Sequence, residues 1–494
     1  MQTLTLPALP AEGFAIADGV VIRAADDLGF VAGVGKYLRN PAWRGAGAPD
    51  KPFRLIYFAT HFHNWYHEAP LEDVERYIQD LALWGYNALA VWFDMHHYTG
   101  IDDPAARAMV DRLKAMLAAA NRIGMGAVLL VLANEGYAGS PEALRADWRD
   151  GQNGYFRQLY HYHVELCPSN PDGLALLLRW HEERLAVFAD VDMQAVIIWP
   201  YDQGGCTCAA CAPWGANGYL RVAEPLARLV KARFPRAKTV LSTWDFDLCI
   251  NGEWEGLRDA FRTPPDWADY LMAENRGNMV PEFVLAEGAP GGLPLVGFPE
   301  ISMHQCFPWG GFGANPLPAR SEYLWGAVSA KYAGGMPYSE GFFEDMNKAF
   351  HAQFYWHADR PALETAREYL TYEFGSAAAE PLLRAITLFE ETLPRHRDGA
   401  DRFILDQPDG VDEAYALVQQ AEALLPETAK TAWRWRLLAL RAFLDHELLH
   451  HDFHITAAAE TALEELERLY CATAESAMGV SPPTKAARER SGHW

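Results

Sequence analysis

Acids, tryptophans and histidines recur in this chain just after short apolar runs. His61, His63, Asn64 and Trp65 follow Arg54–Thr60; Asp94, His96 and His97 follow Asn87–Phe93; Asn134 and Glu135 follow Gly126–Ala133; Tyr201, Asp202 and Gln203 follow Gln194–Trp199. Trp244, Asp245 and Asp247 then follow Lys238–Thr243, Glu274, Asn275 and Arg276 follow Tyr270–Ala273, Glu300 and His304 follow Leu293–Phe298, and Tyr338, Ser339 and Glu340 end the run from Tyr332. Carboxylates with Trp65, Trp199, Trp244 and Trp309 nearby suit a sugar, because indole stacks on its apolar faces and carboxylates accept from its hydroxyls. Cleaving a glycosidic bond also requires two carboxyl groups flanking that bond. Any one of these acids could equally be a helix cap or an ion-pair partner. Taken together, Asp202, Glu274, Glu300 and Glu340 form the candidate catalytic set, with His61, His63, Trp65, Asp94, Tyr201, Trp244, Asp245 and Trp309 as candidate sugar contacts.

Two clusters suggest metal chemistry. Cys206, Cys208 and Cys211 crowd into six residues, and zinc takes four ligands, so a fourth must come from elsewhere; Cys167 in Glu165-Leu-Cys167-Pro-Ser-Asn170 is the candidate. A closed four-thiolate zinc would be structural, and catalysis would need no cofactor; the alternative is a set of buried free thiols. Cys249, Cys306 and Cys471 read as packing residues. His61-Phe-His63 has the spacing that opens the metal site of barrel amidohydrolases, yet no histidine follows the fifth or sixth run. Imidazoles that donate to sugar hydroxyls are the alternative. His96 and His97 are adjacent and would not both face one site from a strand.

The apolar runs are strands and the stretches between them read as helices. Leu71–Trp84 places Val74, Ile78 and Leu81 on one face and stops at Gly85; Asp103 caps a helix that opens on Pro104 and runs to Gly124. Further helices are expected at Leu174–Ala189, Tyr219–Phe234, Glu255–Phe261 and Ser321–Lys331, with a short, irregular sixth crossover over Met279–Pro290. Eight continuous apolar strands alternating with helices predict an α/β fold, a (β/α)8 barrel over residues 51–350, whose active site lies at the C-terminal ends of the strands. Residues 1–50 read as a short β-rich lead-in and 351–480 as a helical domain, with helices at Pro361–Phe374, Ala377–Leu393, Val411–Leu425, Ala432–Leu449 and Thr456–Ala474. Residues 481–494 lack an apolar period and read as a mobile tail.

The 494 residues are half hydrophobic and 22% charged, which excludes disorder as the main state. A net charge of −23 repels phosphate backbones and anionic lipid, and no apolar run approaches the length of a membrane span, so neither nucleic acid nor membrane is an expected partner. With no signal-like start and a cysteine cluster suited to metal, the chain reads as cytoplasmic. A homo-oligomer is left open. A phosphate substrate is disfavoured, since no Gly-rich strand-to-helix cradle is present.

Leu166-Cys-Pro-Ser-Asn-Pro171, Trp199-Pro-Tyr-Asp-Gln-Gly-Gly-Cys-Thr-Cys-Ala-Ala-Cys211 and Gly335-Met-Pro-Tyr-Ser-Glu-Gly-Phe-Phe-Glu-Asp-Met-Asn-Lys348 together resemble a broad group of bacterial glycoside hydrolases with an α-glucuronidase-like or β-hexosaminidase-like barrel. The resemblance covers about residues 50–375, and the Asp-x-Gly-Gly-Cys-x-Cys-x-x-Cys element is its most specific part. It implies hydrolysis of a glycosidic bond, retaining or inverting. Hexosaminidase-type members carry an Asp-Glu pair after the fourth strand; here that slot departs from the pattern and reads Asp202-Gln203. Two-carboxylate members place the acid/base after strand four and the nucleophile after strand seven, which maps to Asp202 and Glu300; α-glucuronidase-like members point to Glu274 and Glu300. The expected function is removal of a terminal sugar from oligosaccharides or small glycosides, with Glu300 as nucleophile or base and Glu274 or Asp202 as the general acid, Glu340 standing third. The alternatives are a metal-dependent barrel hydrolase or isomerase using His61 and His63, and a non-catalytic carbohydrate-binding protein.

Overall fold

The computed structural model describes residues 9–60, 63–149, 151–155, 162–200, 205–247, 252–273, 277–302, 310–473 and 481–490. In chain order the strands are β1 Phe14–Ala17, β2 Val21–Ala24, β3 Gly45–Gly47, β4 Phe53–Phe58, β5 Ala88–Trp92, β6 Gly126–Leu132, β7 Met193–Trp199, β8 Lys238–Ser242, β9 Tyr270–Met272, β10 Leu295–Gly297, β11 Tyr332–Gly335, β12 Tyr338–Ser339, β13 Arg395–Arg397 and β14 Phe403–Leu405. The helices are α1 Asp27–Arg39, α2 Trp65–Glu68, α3 Leu71–Trp84, α4 Pro104–Arg122, α5 Pro171–Val187, α6 Gly218–Arg233, α7 Glu253–Ala260, α8 Glu282–Glu287 and α9 Pro318–Val328. They continue with α10 Asp345–Trp356, α11 Ala362–Phe374, α12 Ser376–Glu391, α13 Val411–Glu422, α14 Glu427–Lys430, α15 Trp433–His450, α16 Ala457–Leu469 and α17 Lys485–Arg490. None of the described helices is long and apolar enough to cross a membrane.

The main sheet runs β11-β10-β9-β8-β7-β6-β5-β4-β12, with β11 also paired to β4, so it closes on itself as the (β/α)8 barrel expected from the alternating pattern. Its strands are buried on both faces, which is why they read as unbroken apolar runs: every residue of β4 and β5 is buried. The eighth run is two strands rather than one. Pro337 has no N–H to donate to a ladder and separates β11 from β12, which pairs in parallel with β4 through Tyr338 and Tyr57.

The chain divides into two compact units. One comprises Met1–Asn87, Glu300–Ala327 and Pro337–Trp494. Its start is an antiparallel β2-β1-β3 sheet together with α1, a helix that the reading of residues 1–50 as β-rich did not include. Asp26 caps α1 by accepting from Gly29 N at 2.9 Å. Phe14, Ile16 and Ala32 pack with Trp356 from α10. Gly85 ends α3 with φ at 115°, and a Cβ there would collide with the Trp356 indole. Helix α10, absent from the sequence reading, is buried along its whole length, so it has no polar face to give a helical period. Among the described residues past Phe350 the elements are helices apart from the β13–β14 hairpin, whose three-residue strands carry almost no signal. Within 481–494, Thr484 and Ala487 are buried, and Arg488 pairs with Glu460 of α16 at 3.0 Å.

The second unit comprises Ala88–Pro299 and Val328–Met336, and holds β5–β11 with helices α4–α8. Asp103 caps α4 and Asn170 caps α5, each followed by Pro at the first helical position. The described part of the sixth crossover holds the short helix α8 and a 3-10 turn at Pro290–Gly292.

Candidate active site

In the first unit, Glu300 and Glu340 lie close enough for their charges to act on each other. Glu300, just beyond β10, forms a parallel bridge with Tyr338, whose hydroxyl donates to Glu340 two residues on. Glu300 is 7% exposed, and Arg320 donates to its carbonyl at 2.6 Å. Glu340 is fully buried. Its Oε1 accepts from the Tyr338 hydroxyl, while its Oε2 has no hydrogen-bond partner among the described residues. Burial pushes the Glu340 pKa well above the carboxylate range; the Tyr338 hydroxyl opposes this, and the charges of Glu344 and Glu300 add to it.

Glu344 holds the turn that carries Glu340. Its Oε1 accepts from Ser339 Oγ at 2.6 Å, Ser302 Oγ at 3.0 Å, Glu340 N at 3.1 Å and Gly341 N at 3.3 Å. Beneath it, Lys348 Nζ donates to the hydroxyls of Tyr66 and Tyr77, each at 2.8 Å, and to Gly341 O. Burial lowers the Lys348 pKa to about 8, against the pull of Glu344 and Asp345. Sequence reading missed Glu344 and Lys348. The signal was their i,i+4 spacing on either side of the start of α10.

A cleft beside Glu340 is lined by Asn64, Trp65, Phe342, Phe343 and Tyr470. Asn64 is fixed by a 2.6 Å bond to Ala59 O and caps α2 through Tyr66 N. Trp65 is half-buried and packs edge-on against Phe342 with ring centroids 5.1 Å apart. Tyr470, at the end of α16, donates to Gly310 O, so the helical C-terminal part supplies one wall. His63 has φ at 47°, and its Nδ1 lies 3.8 Å from Glu68, with the ring stacked on His67 at 4.3 Å. His67 and Glu68, one turn further along α2, were not in the sequence-based set.

In the second unit, Asp94 is buried beyond β5 with an oxygen 3.0 Å from His97 Nε2. His96 and His97 occupy a 3-10 turn, Met95–His97, rather than a strand, so the alternation that would send them to opposite faces does not apply; their rings lie 3.9 Å apart. Glu135 is fully buried and spoken for: it accepts from Met95 N at 2.6 Å and pairs with buried Arg184 at 3.3 Å. Burial, with Arg184 alongside, lowers the His181 pKa to about 3. Trp244 is buried in a triad with Trp199 and Phe298, at ring-centroid distances of 5.7 and 5.3 Å. Asp245 is 5% exposed with φ at 65°, a backbone state that non-glycine residues hold mainly where the surroundings enforce it. Burial raises the Asp247 pKa to about 6. Cys167, Cys206, Cys208 and Cys211 come together in this unit. His61, Tyr201, Asp202, Glu274, His304 and Trp309 lie outside the described residues.

No family model matches the chain, and no curated protein matches its sequence. Solved structures do. A GH115 4-O-methyl-α-glucuronidase with specificity for decorated arabinogalactans superposes with a TM-score of 0.61 at 12% identity, over 94% of this chain and 68% of that one. A family 89 glycoside hydrolase from Clostridium perfringens, in complex with 2-acetamido-1,2-dideoxynojirmycin, gives 0.62 at 12% identity over 97% and 65%. A GH138 enzyme targeting pectin rhamnogalacturonan II gives 0.54 at 10% identity over 95% and 68%. The chain thus spans about two thirds of the length of these neighbours. At such identities the likeness is one of fold: this chain is built on a (β/α)8 barrel of the kind that these glycoside hydrolases carry.

Proposed function

We propose that the protein is a glycoside hydrolase that removes a terminal sugar from an oligosaccharide or small glycoside, with Glu340 as general acid and Glu300 as the opposing carboxylate. The observation that carries this reading is the state of Glu340: fully buried, held by one hydroxyl, its second oxygen without a partner among the described residues, and its pKa driven up by burial. A general acid must keep its proton near neutral pH and present it to the leaving oxygen, and burial beside other carboxylates is the usual means. Glu300, at the adjacent strand end, supplies the second carboxyl that glycosidic cleavage requires. Trp65, half-buried next to Glu340, offers an indole for stacking on a pyranose ring. The solved neighbours include enzymes named for glucuronides and for decorated or pectic polysaccharides, which supports a sugar substrate without selecting one.

The test is turnover, in excess EDTA, of aryl α- and β-glycosides of glucose, galactose, xylose, glucuronic acid and the N-acetylhexosamines. Release from one sugar, lost by at least about a thousandfold in Glu300→Gln, is expected for two-carboxylate catalysis. No release from any member, with or without metal, would overturn the reading. Release only on adding a divalent ion would favour a second one, in which His63, His67 and Glu68, whose ligand atoms lie within 4.8 Å of one another, hold a catalytic metal.

A further inference from the structure

We propose that Cys167, Cys206, Cys208 and Cys211 form a closed, structural zinc site that straps the loop after β7 to the segment before α5. The inference stands apart from the glycosidase reading and survives its failure. The four sulfurs all lie within 4.8 Å of one another. Cys167 Sγ is 3.6 Å from Cys206, 3.9 Å from Cys208 and 3.8 Å from Cys211. Zinc–thiolate bonds of about 2.3 Å in a tetrahedron require sulfurs about 3.8 Å apart, so these separations match the edges of an ZnS4 unit. A disulfide would need sulfurs about 2.05 Å apart, and all four cysteines are free.

The surroundings suit a metal held for structure. Cys206 and Cys211 are buried and the other two half-buried, and four thiolates fill a tetrahedral zinc, leaving no position for a substrate or water. Four thiolates on Zn2+ carry a net double negative charge, which needs donors outside the first shell. Ser169 Oγ lies 2.9 Å from Cys167 Sγ and 3.5 Å from Cys208 Sγ, in reach of both sulfurs. Three ligands come from one loop and the fourth from 39 residues earlier, so the metal closes a long connection.

Neighbouring contacts hold the same two segments. The Asn134 amide, just beyond β6, donates to Leu166 O at 3.0 Å and Gly205 O at 2.8 Å, and its Oδ1 accepts from Gly205 N at 2.8 Å. Leu166 and Gly205 are each one residue from a cysteine ligand. The strap therefore sits at the C-terminal ends of β6 and β7, where barrel loops carry their chemistry, and fixes loop position without entering the reaction.

The test is metal content of the full chain purified without chelator, followed by replacement with Co2+. One zinc per chain is expected, with cobalt giving the intense absorption between about 600 and 750 nm of tetrahedral thiolate ligation. Cys167→Ser and Cys208→Ser should lower zinc content several-fold while Cys471→Ser leaves it at one. Amide exchange should rise in 163–170 and 205–217 together when zinc is stripped. Less than about 0.1 zinc per chain, from cells grown in zinc-supplemented medium, would overturn the proposal; so would iron in place of zinc, or a Cys167→Ser protein that retains full zinc. The wild-type metal content and the cobalt spectrum decide the matter even if the cysteine variants fail to fold.

Discussion

Replacing Glu340 with glutamine separates a catalytic proton donor from a merely buried acid. In the fold burial, Glu344 and Glu300 push the carboxyl's pKa well above its usual range, against the opposing Tyr338 hydroxyl, and so favour the neutral form. Glutamine keeps the shape and the Tyr338 partner but has no proton to give. General acid catalysis is worth about 10² to 10⁴, or about 3–5 kcal/mol of barrier, so kcat on a glycoside with a poor leaving group should fall by that factor. A dinitrophenyl glycoside or glycosyl fluoride, whose leaving group needs no proton, should lose less than about tenfold. The alkaline limb of the wild-type pH–rate profile, set by loss of the Glu340 proton, should vanish in the variant. Stability gives a second readout, independent of substrate. A carboxyl with a raised folded pKa holds a proton that the unfolded chain releases, so it destabilises the fold increasingly as pH rises above about 4.3, by about 1.4 kcal/mol per pH unit up to the folded pKa. Glu340→Gln should therefore gain stability relative to wild type as pH rises through that window, as read by denaturant midpoints at pH 4, 6 and 8. An unchanged alkaline limb, or equal losses on both leaving groups, would refute the acid role. A variant that loses ground as pH rises would refute the neutral carboxyl itself.

Three further outcomes follow from the packing. Glu135→Gln strips buried Arg184 of its carboxylate and should cost about 3–5 kcal/mol in urea unfolding; a loss under about 1 kcal/mol would mean that the pair is not what holds this corner. Trp244→Ala empties part of the triad with Trp199 and Phe298 and should cost about 3–5 kcal/mol, whereas intact stability with a raised KM would mean that Trp244 stacks on sugar instead. Lys348 carries a folded pKa of about 8 against the 10.5 of a free lysine, set by burial. Between those values the unfolded chain binds the extra proton, so this lysine makes stability rise with pH by about 3 kcal/mol at most. Lys348→Met should flatten that rise between pH 8 and 10.5 in denaturant midpoints, and an unaltered slope would place the ionisation elsewhere.

The barrel was legible because its strands are buried on both faces, so runs such as Leu55–Phe58 and Ala127–Leu132 are apolar without interruption. Caps made the neighbouring helices equally plain, with Asp103 before Pro104 and Asn170 before Pro171. Helix α10 escaped for the opposite reason: Asn347, Lys348 and Gln353 are buried polar residues hydrogen-bonded by tertiary contacts, His351 is buried with them, and a helix enclosed on all sides has no apolar stripe. In the site, position after a strand pointed to Glu300 and Glu340, and ligand counting pointed to Cys167. His67, Glu68 and Glu344 stayed hidden because their placement depends on turns set by α2 and by the start of α10, not on a position directly after a strand.

Position after a strand selects acids but does not rank them; pairing does. Glu135 and Glu340 are both fully buried beyond barrel strands. Glu135 meets a guanidinium and a backbone N–H, so its charge is compensated and its loss would be felt as instability. Glu340 meets one hydroxyl and two other carboxylates, so the single donor is outweighed by burial and like charge, which favours a retained proton. So costly an environment is what a proton donor needs, which is why the proposed acid role falls on Glu340, beside Trp65 and Tyr470, and not on Glu135. Burial is common to both residues, and the distinction between a structural and a chemical role lies in what each oxygen touches.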